Sequence, residues 1–104
     1  MPGREDNEPA GIRILEERNT IPILYYLSEH GSCRKTDIYR DVTRNSRIPE
    51  LLDMMEGCRI IHQERVGVRD TEVIISITDA GRAVVNSLDS IAHIITDNTA
   101  NIQN

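Results

Sequence analysis

The chain has 104 residues, 38% hydrophobic and 28% charged with no Phe or Trp, enough for one small domain around an aliphatic core. No apolar run is long enough for a transmembrane helix, the polar start from Met1 to Pro9 is no signal peptide, and two cysteines make no disulfide scaffold, so a cytoplasmic protein is expected. The net charge of −5 is unevenly spread: residues 34–69 hold eight of the twelve basic residues against six acids, both flanks are acidic, and every basic residue except Lys35 is arginine.

Residues 1–11 read as a disordered tail and 97–104 as a frayed end, on either side of a single domain over 12–96. Ile12 to Arg18 is short and fits either a helical turn or a strand. Asn19-Thr20 then makes a helix cap, Pro22 is tolerated in the first turn, Ile23, Leu24 and Leu27 form an apolar stripe, and Gly31 supplies a left-handed stop. A second helix is expected from Thr36 to about Val42, with Ile38 and Val42 four residues apart on its buried side. Arg44-Asn45-Ser46 is a turn with capping chemistry, and a third helix over about 45–57 carries Ile48, Leu51, Leu52 and Met55 on one face. The period then changes. Ile60 to Val66 and Glu72 to Ile77 read as two strands around a turn at Gly67–Asp70, with Val73, Ile75 and Ile77 on one side. Thr78-Asp79 caps a last helix to about Thr96, in which Val84, Val85, Leu88, Ile91, Ile94 and Ile95 recur at helical spacing. The fold class is α+β and mainly helical: a three-helix core, a two-stranded hairpin and a C-terminal helix.

That order resembles the winged helix-turn-helix transcription regulators, and local sequence adds to the likeness. Ile21 to Leu27 followed by Gly31-Ser32-Cys33-Arg34-Lys35 is similar to their first helix and the basic turn after it. Leu51 to Ile61 is similar to the exit of their recognition helix. Ile77-Thr78-Asp79-Ala80-Gly81-Arg82 resembles the Leu-Thr-x-x-Gly-Arg element that joins wing to last helix. The likeness covers roughly residues 12–95 and is nearest to the HxlR-type and MarR-type regulators, especially small archaeal ones. The chain departs from it at Arg59, where those regulators often carry glycine before the first wing strand, with Gly57 two places earlier. The wing is short, and no added domain for a small-molecule effector is visible.

The resemblance implies a DNA-binding regulator whose third helix enters the major groove of double-stranded DNA. Its first turn, Arg44-Asn45-Ser46-Arg47, then faces base edges and phosphates. Arg34, Lys35 and Arg40 touch the backbone, and Arg65 and Arg69 at the wing tip reach the minor groove or grip phosphate. Each arginine has an ordinary alternative, a solvated ion pair with Asp41, Glu50 or Asp70. The functional assignment rests on basic residues falling at helix start, preceding turn and wing together. The acidic remainder predicts modest affinity that falls with salt.

Along the last helix, Leu88, Ile91, Ile94 and Ile95 continue past the closed core. With Ile14 and Leu15 they predict a homodimer seam, and hence a palindromic site with half-sites about one helical turn apart. The alternative is that the stripe folds back onto the N-terminal segment. His30-x-x-Cys33 and Cys58-x-x-x-His62 form a Cys2His2 inventory without a Cys-x-x-Cys pair. The cysteines are more simply core residues, so no metal and no other cofactor is expected. The scattered serines and the three histidines match no nucleophile motif and no phosphate-cradling glycine loop is present, so an enzyme is not expected. No membrane partner is implied. The competing function is a protein-binding winged helix, an adaptor in a transcription-related complex, which the net charge keeps open.

Overall fold

The computed structural model describes residues 9–103; residues 1–8 and 104, the outer parts of the two expected tails, lie outside the described residues. A 3-10 turn at Ala10–Ile12 leads into α1 (Arg13–Glu16), so the ambiguous N-terminal segment is helical. Then follow α2 (Thr20–His30), β1 (Ser32–Arg34), α3 (Lys35–Asp41), α4 (Ile48–Gly57), β2 (Ile61–Val66), β3 (Glu72–Ile77) and α5 (Asp79–Gln103).

Helical spacing decides what each helix buries. Ile23, Leu24 and Leu27 of α2, Ile38 of α3, Ile48, Leu51, Leu52 and Met55 of α4, and Val85 of α5 meet Ile61, Ile75 and Ile77 from the sheet in one core. Each such side chain contributes roughly 1.5–3 kcal/mol on full burial. Gly31 ends α2 at φ 78°, and its N–H donates to the Leu27 carbonyl at 2.6 Å. The cap expected of Asn19-Thr20 is not made. Asn19 is itself left-handed at φ 77° without a side-chain bond to the helix, and Thr20 is buried.

The sheet has three antiparallel strands in the order β1-β3-β2, one more than the sequence predicts. β2 and β3 form the expected hairpin, with Ile61 opposite Ile77 and Val66 opposite Glu72. β1 is only Ser-Cys-Arg, read from sequence as a turn, but it pairs with β3 and sets buried Cys33 opposite Ile75. The last helix also runs further than expected, through residues 97–103 where a frayed end was predicted. No glycine or proline follows Gly81 within it, so nothing local stops propagation. No helix among the described residues is long and apolar enough to cross a membrane.

Thr78 joins hairpin to helix. Its N–H donates to the Ile60 carbonyl at 3.2 Å, its hydroxyl donates to the Arg59 carbonyl at 2.7 Å, and the same oxygen accepts the Gly81 N–H at 3.0 Å. The Thr-x-x-Gly spacing thus caps α5 and holds it against the entry to β2. At that entry Arg59 is left-handed, φ 63°, where a Cβ is unfavourable and glycine is not. Arg59→Gly is therefore expected to raise stability by about 0.5–1 kcal/mol. A urea titration checks this. A lower midpoint would mean that the arginine side chain makes a contact worth more than the backbone strain.

Candidate nucleic-acid interface

Helix α4 is a ridge. It buries Ile48, Leu51, Leu52 and Met55 and exposes Pro49, Glu50, Asp53 and Met54. It begins at Ile48, later than the expected 45, because Pro49 fits the first turn of a helix and Asn45 organises a separate turn before it. The Asn45 N–H donates to Thr43 Oγ1 at 3.2 Å, Asn45 Oδ1 accepts the Arg47 N–H at 2.8 Å, and the Ile48 N–H reaches the Asn45 carbonyl at 3.2 Å. Arg44-Asn45-Ser46-Arg47 are therefore the approach to the helix, a correction to their predicted place in its first turn. Arg44 and Ser46 are exposed, and Arg44 has no ion-pair partner among the described residues. Arg47 pairs through Nε with Glu50 Oε2 at 3.1 Å, and among the described residues the terminal nitrogens of its exposed guanidinium make no further bond. An ion pair this exposed is worth at most about 1 kcal/mol, so Arg47 is easily recruited elsewhere.

A cleft of about 270 Å³ separates α4 from the hairpin, with Lys35, Pro49, Asp53, Glu56, Gln63 and Arg65 around it. Gln63 bridges its floor: its Nε2 donates to Asp53 Oδ1 and to Glu56 Oε1, both at 3.0 Å, and its N–H donates to Glu56 Oε2 at 3.1 Å. His62 Nδ1 lies 3.4 Å from the same Glu56 oxygen. These carboxylates fasten helix to hairpin, and Lys35 and Arg65 form no ion pair among the described residues. On the opposite flank of α4 a second cleft, about 230 Å³, is lined by Arg18 and Asn19 of the α1–α2 link together with Asn45, Arg47, Glu50 and Met54. Arg18 was not singled out from the sequence, because only the chain's return past α4 brings it there.

At the hairpin tip Gly67, Arg69 and Asp70 take φ 87°, 65° and 52°. Such a turn favours Gly or Asn, so an arginine is held there against backbone preference.

Two arginines expected to contact DNA, Arg34 and Arg40, already form exposed ion pairs within the chain. Arg34 Nε lies 3.3 Å from Glu72 Oε1, linking β1 to β3. Arg40 donates to both oxygens of Asp41 at 2.8 Å and pairs through Nη1 with Asp37 at 3.1 Å. Tyr26 Oη also donates to Asp41, at 2.6 Å. Hydrogen bonds from Arg40 and Tyr26 hold the Asp41 carboxyl well below the usual range, and the bond to Asp41 pushes the Tyr26 phenol up to about 12. Burial, then the charges of Asp37 and Asp41, push the Cys33 thiol up to about 11. It is a neutral thiol at pH 7, poorly suited to metal ligation or disulfide exchange. His30 Nδ1 is 2.7 Å from the Tyr26 carbonyl, Cys58 is exposed rather than the core residue expected because it follows the end of α4, and among the described residues no three His, Cys, Asp or Glu side chains gather as a metal site requires.

The apolar residues divide in two. Ile14, Leu15, Leu88 and Ile91 line one groove of about 470 Å³ between α1 and α5. Ile94 and Ile95 lie beyond it, 62% and 60% exposed, with Ile91 at 49%. Part of the stripe thus meets the N-terminal segment and part projects past it.

No protein-family model and no curated protein matches the chain. Among solved structures, one described as "Putative transcriptional regulator ytfH from Salmonella typhimurium" is similar in fold, with a TM-score of 0.69 over 97% of this chain and 87% of that one at 22% sequence identity.

Proposed function

We propose that the chain is a homodimeric DNA-binding transcription regulator. Each protomer lays α4 in the major groove and uses the β2–β3 hairpin as a wing. The observation that carries this reading is the placement of cations that have no carboxylate partner among the described residues. Lys35 and Arg65 border the cleft beside α4, Arg44 stands before that helix, and Arg69 is held at the wing tip in a left-handed turn. The fold shared with a protein described as a transcriptional regulator supports the same reading. Arg47, its Nε taken by Glu50, offers a fork for guanine, and Glu50 and Asp53 suit the cytosine amino group. Arg34, whose exposed pair with Glu72 is no stronger than that of Arg47, remains a backbone contact, whereas Arg40, held by both oxygens of Asp41 and by Asp37, shapes the surface.

One observation favours the adaptor instead: the exposed face of α4 carries Pro49, Glu50, Asp53 and Met54 and no base. A mobility-shift titration against the DNA upstream of its own gene and a random duplex, at two salt concentrations, separates the two readings. DNA binding predicts a shift that prefers the upstream region and weakens with salt by about 0.9 in log–log slope per neutralised phosphate. Arg47→Ala then erodes the preference, whereas Arg69→Gly relaxes the turn and weakens binding evenly across sequences. No shift at low salt, with the protein folded and dimeric by light scattering, would point to the adaptor.

A further inference from the structure

We propose that Arg18 is a second-strand phosphate contact, and that α4 is bracketed by cations on both flanks. The inference rests on the DNA reading above. A helix about 10–12 Å across fills a major groove about 12 Å wide, so a sugar–phosphate strand must pass along each flank of the helix that enters it. One flank of α4 is the cleft with Lys35 and Arg65. The other is the cleft in which Arg18, from the link before α2, comes to the same opening as Asn45 and Arg47. Arg18 is exposed and has no ion pair among the described residues.

The charge balance of this cleft weighs against a free anion as its occupant. Glu17 and Glu50 offset Arg18 and Arg47, so it has no net charge with which to take a free anion from water. A phosphodiester brought there by an already docked duplex needs only a local donor, and the guanidinium of Arg18 is one. The position also explains why sequence reading passes over Arg18. It sits in an acidic N-terminal third and becomes part of the basic surface only through packing of the α1–α2 link beside α4.

Fluorescence anisotropy of the full chain and of Arg18→Ala tests this, with the upstream duplex and a random duplex across a salt series. The expected result is a log–log salt slope shallower by about 0.9 per protomer and affinity lower by roughly three- to tenfold on both duplexes alike. Thermal melting should not change. Replacing chloride by inorganic phosphate at matched ionic strength should weaken the two proteins equally. An unchanged slope and affinity for Arg18→Ala, while the full chain binds with clear salt dependence, would overturn this contact and leave the regulator reading intact. Competition by phosphate against the full chain alone would assign the cleft to a free anion and overturn it as well. Absence of DNA binding by the full chain would remove the regulator reading and this contact with it.

Discussion

Gly81→Ala is expected to lower the unfolding free energy by about 3 kcal/mol or more, the upper end of ordinary overpacking costs. A Cβ at this position would stand 2.2 Å from the Ile60 carbonyl oxygen and 2.7 Å from Ile77 Cγ1. The first neighbour is backbone, and it already accepts the Thr78 N–H, so it cannot swing aside as a side-chain tip would. Alanine is favoured over glycine within a helix by about 1 kcal/mol, which is too little to offset the clash. For a domain of this size each kcal/mol shifts the midpoint by about 4–8 °C, so a loss of roughly 15 °C is expected by circular dichroism. Thr78→Val, which removes both hydroxyl bonds but adds no clash, should cost less, about 1–2 kcal/mol. A Gly81→Ala protein as stable as the original would mean that α5 can tilt from the hairpin without loss, and the Thr-x-x-Gly junction would not be what holds them together.

The second large effect concerns assembly. Ile91→Glu combined with Ile94→Glu is expected to leave the protomer folded and make it monomeric by light scattering. Helix α5 starts firmly attached: Val85 is buried and Tyr25 Oη donates to Asp89 at 2.7 Å. From Ile91 onward it presents isoleucines to solvent, and Ile91 also lines the groove that holds Ile14 and Leu15. Groove and stripe on one copy can therefore receive stripe and groove of another, the self-complementary contact of a two-fold pair. Covering the exposed part of each isoleucine yields roughly 1 kcal/mol, repeated on both protomers. On the proposed regulator reading, loss of the pair removes bivalent binding, so affinity for a two-half-site operator should fall by about 10²–10⁴, and affinity for a single half-site should hardly change. A variant still dimeric at the same concentration, or an original chain that is monomeric, would move the dimer seam elsewhere or abolish it.

Much of the fold is legible in the chain because its signals are local. Ile23, Leu24 and Leu27 repeat at helical spacing and stop at a glycine. Leu51, Leu52 and Met55 do the same on α4, and the alternation of Val73, Ile75 and Ile77 gives the strand its facing. The three-residue strand β1 is not legible this way. Ser32 and Arg34 are exposed on either side of buried Cys33, a pattern too short to tell from a turn, and only pairing with β3 makes it a strand. The candidate site divides similarly. Lys35, Arg44, Arg47, Arg65 and Arg69 are found by their position relative to helix and hairpin. That Arg34 and Arg40 are paired becomes visible only when Glu72, Asp37 and Asp41 are placed beside them.

By itself the sequence determined the order of the three core helices, the hairpin and the last helix, which faces are apolar, and the concentration of arginine in the middle of the chain. Each of these depends on the type and spacing of residues a few positions apart. Only the tertiary structure decided which arginines are paired within the protein, that Arg18 stands beside α4, and why Gly81 has to be glycine. Those depend on distances between residues far apart in the chain: an ion pair, a cleft or a steric clash exists only once packing has brought both sides together.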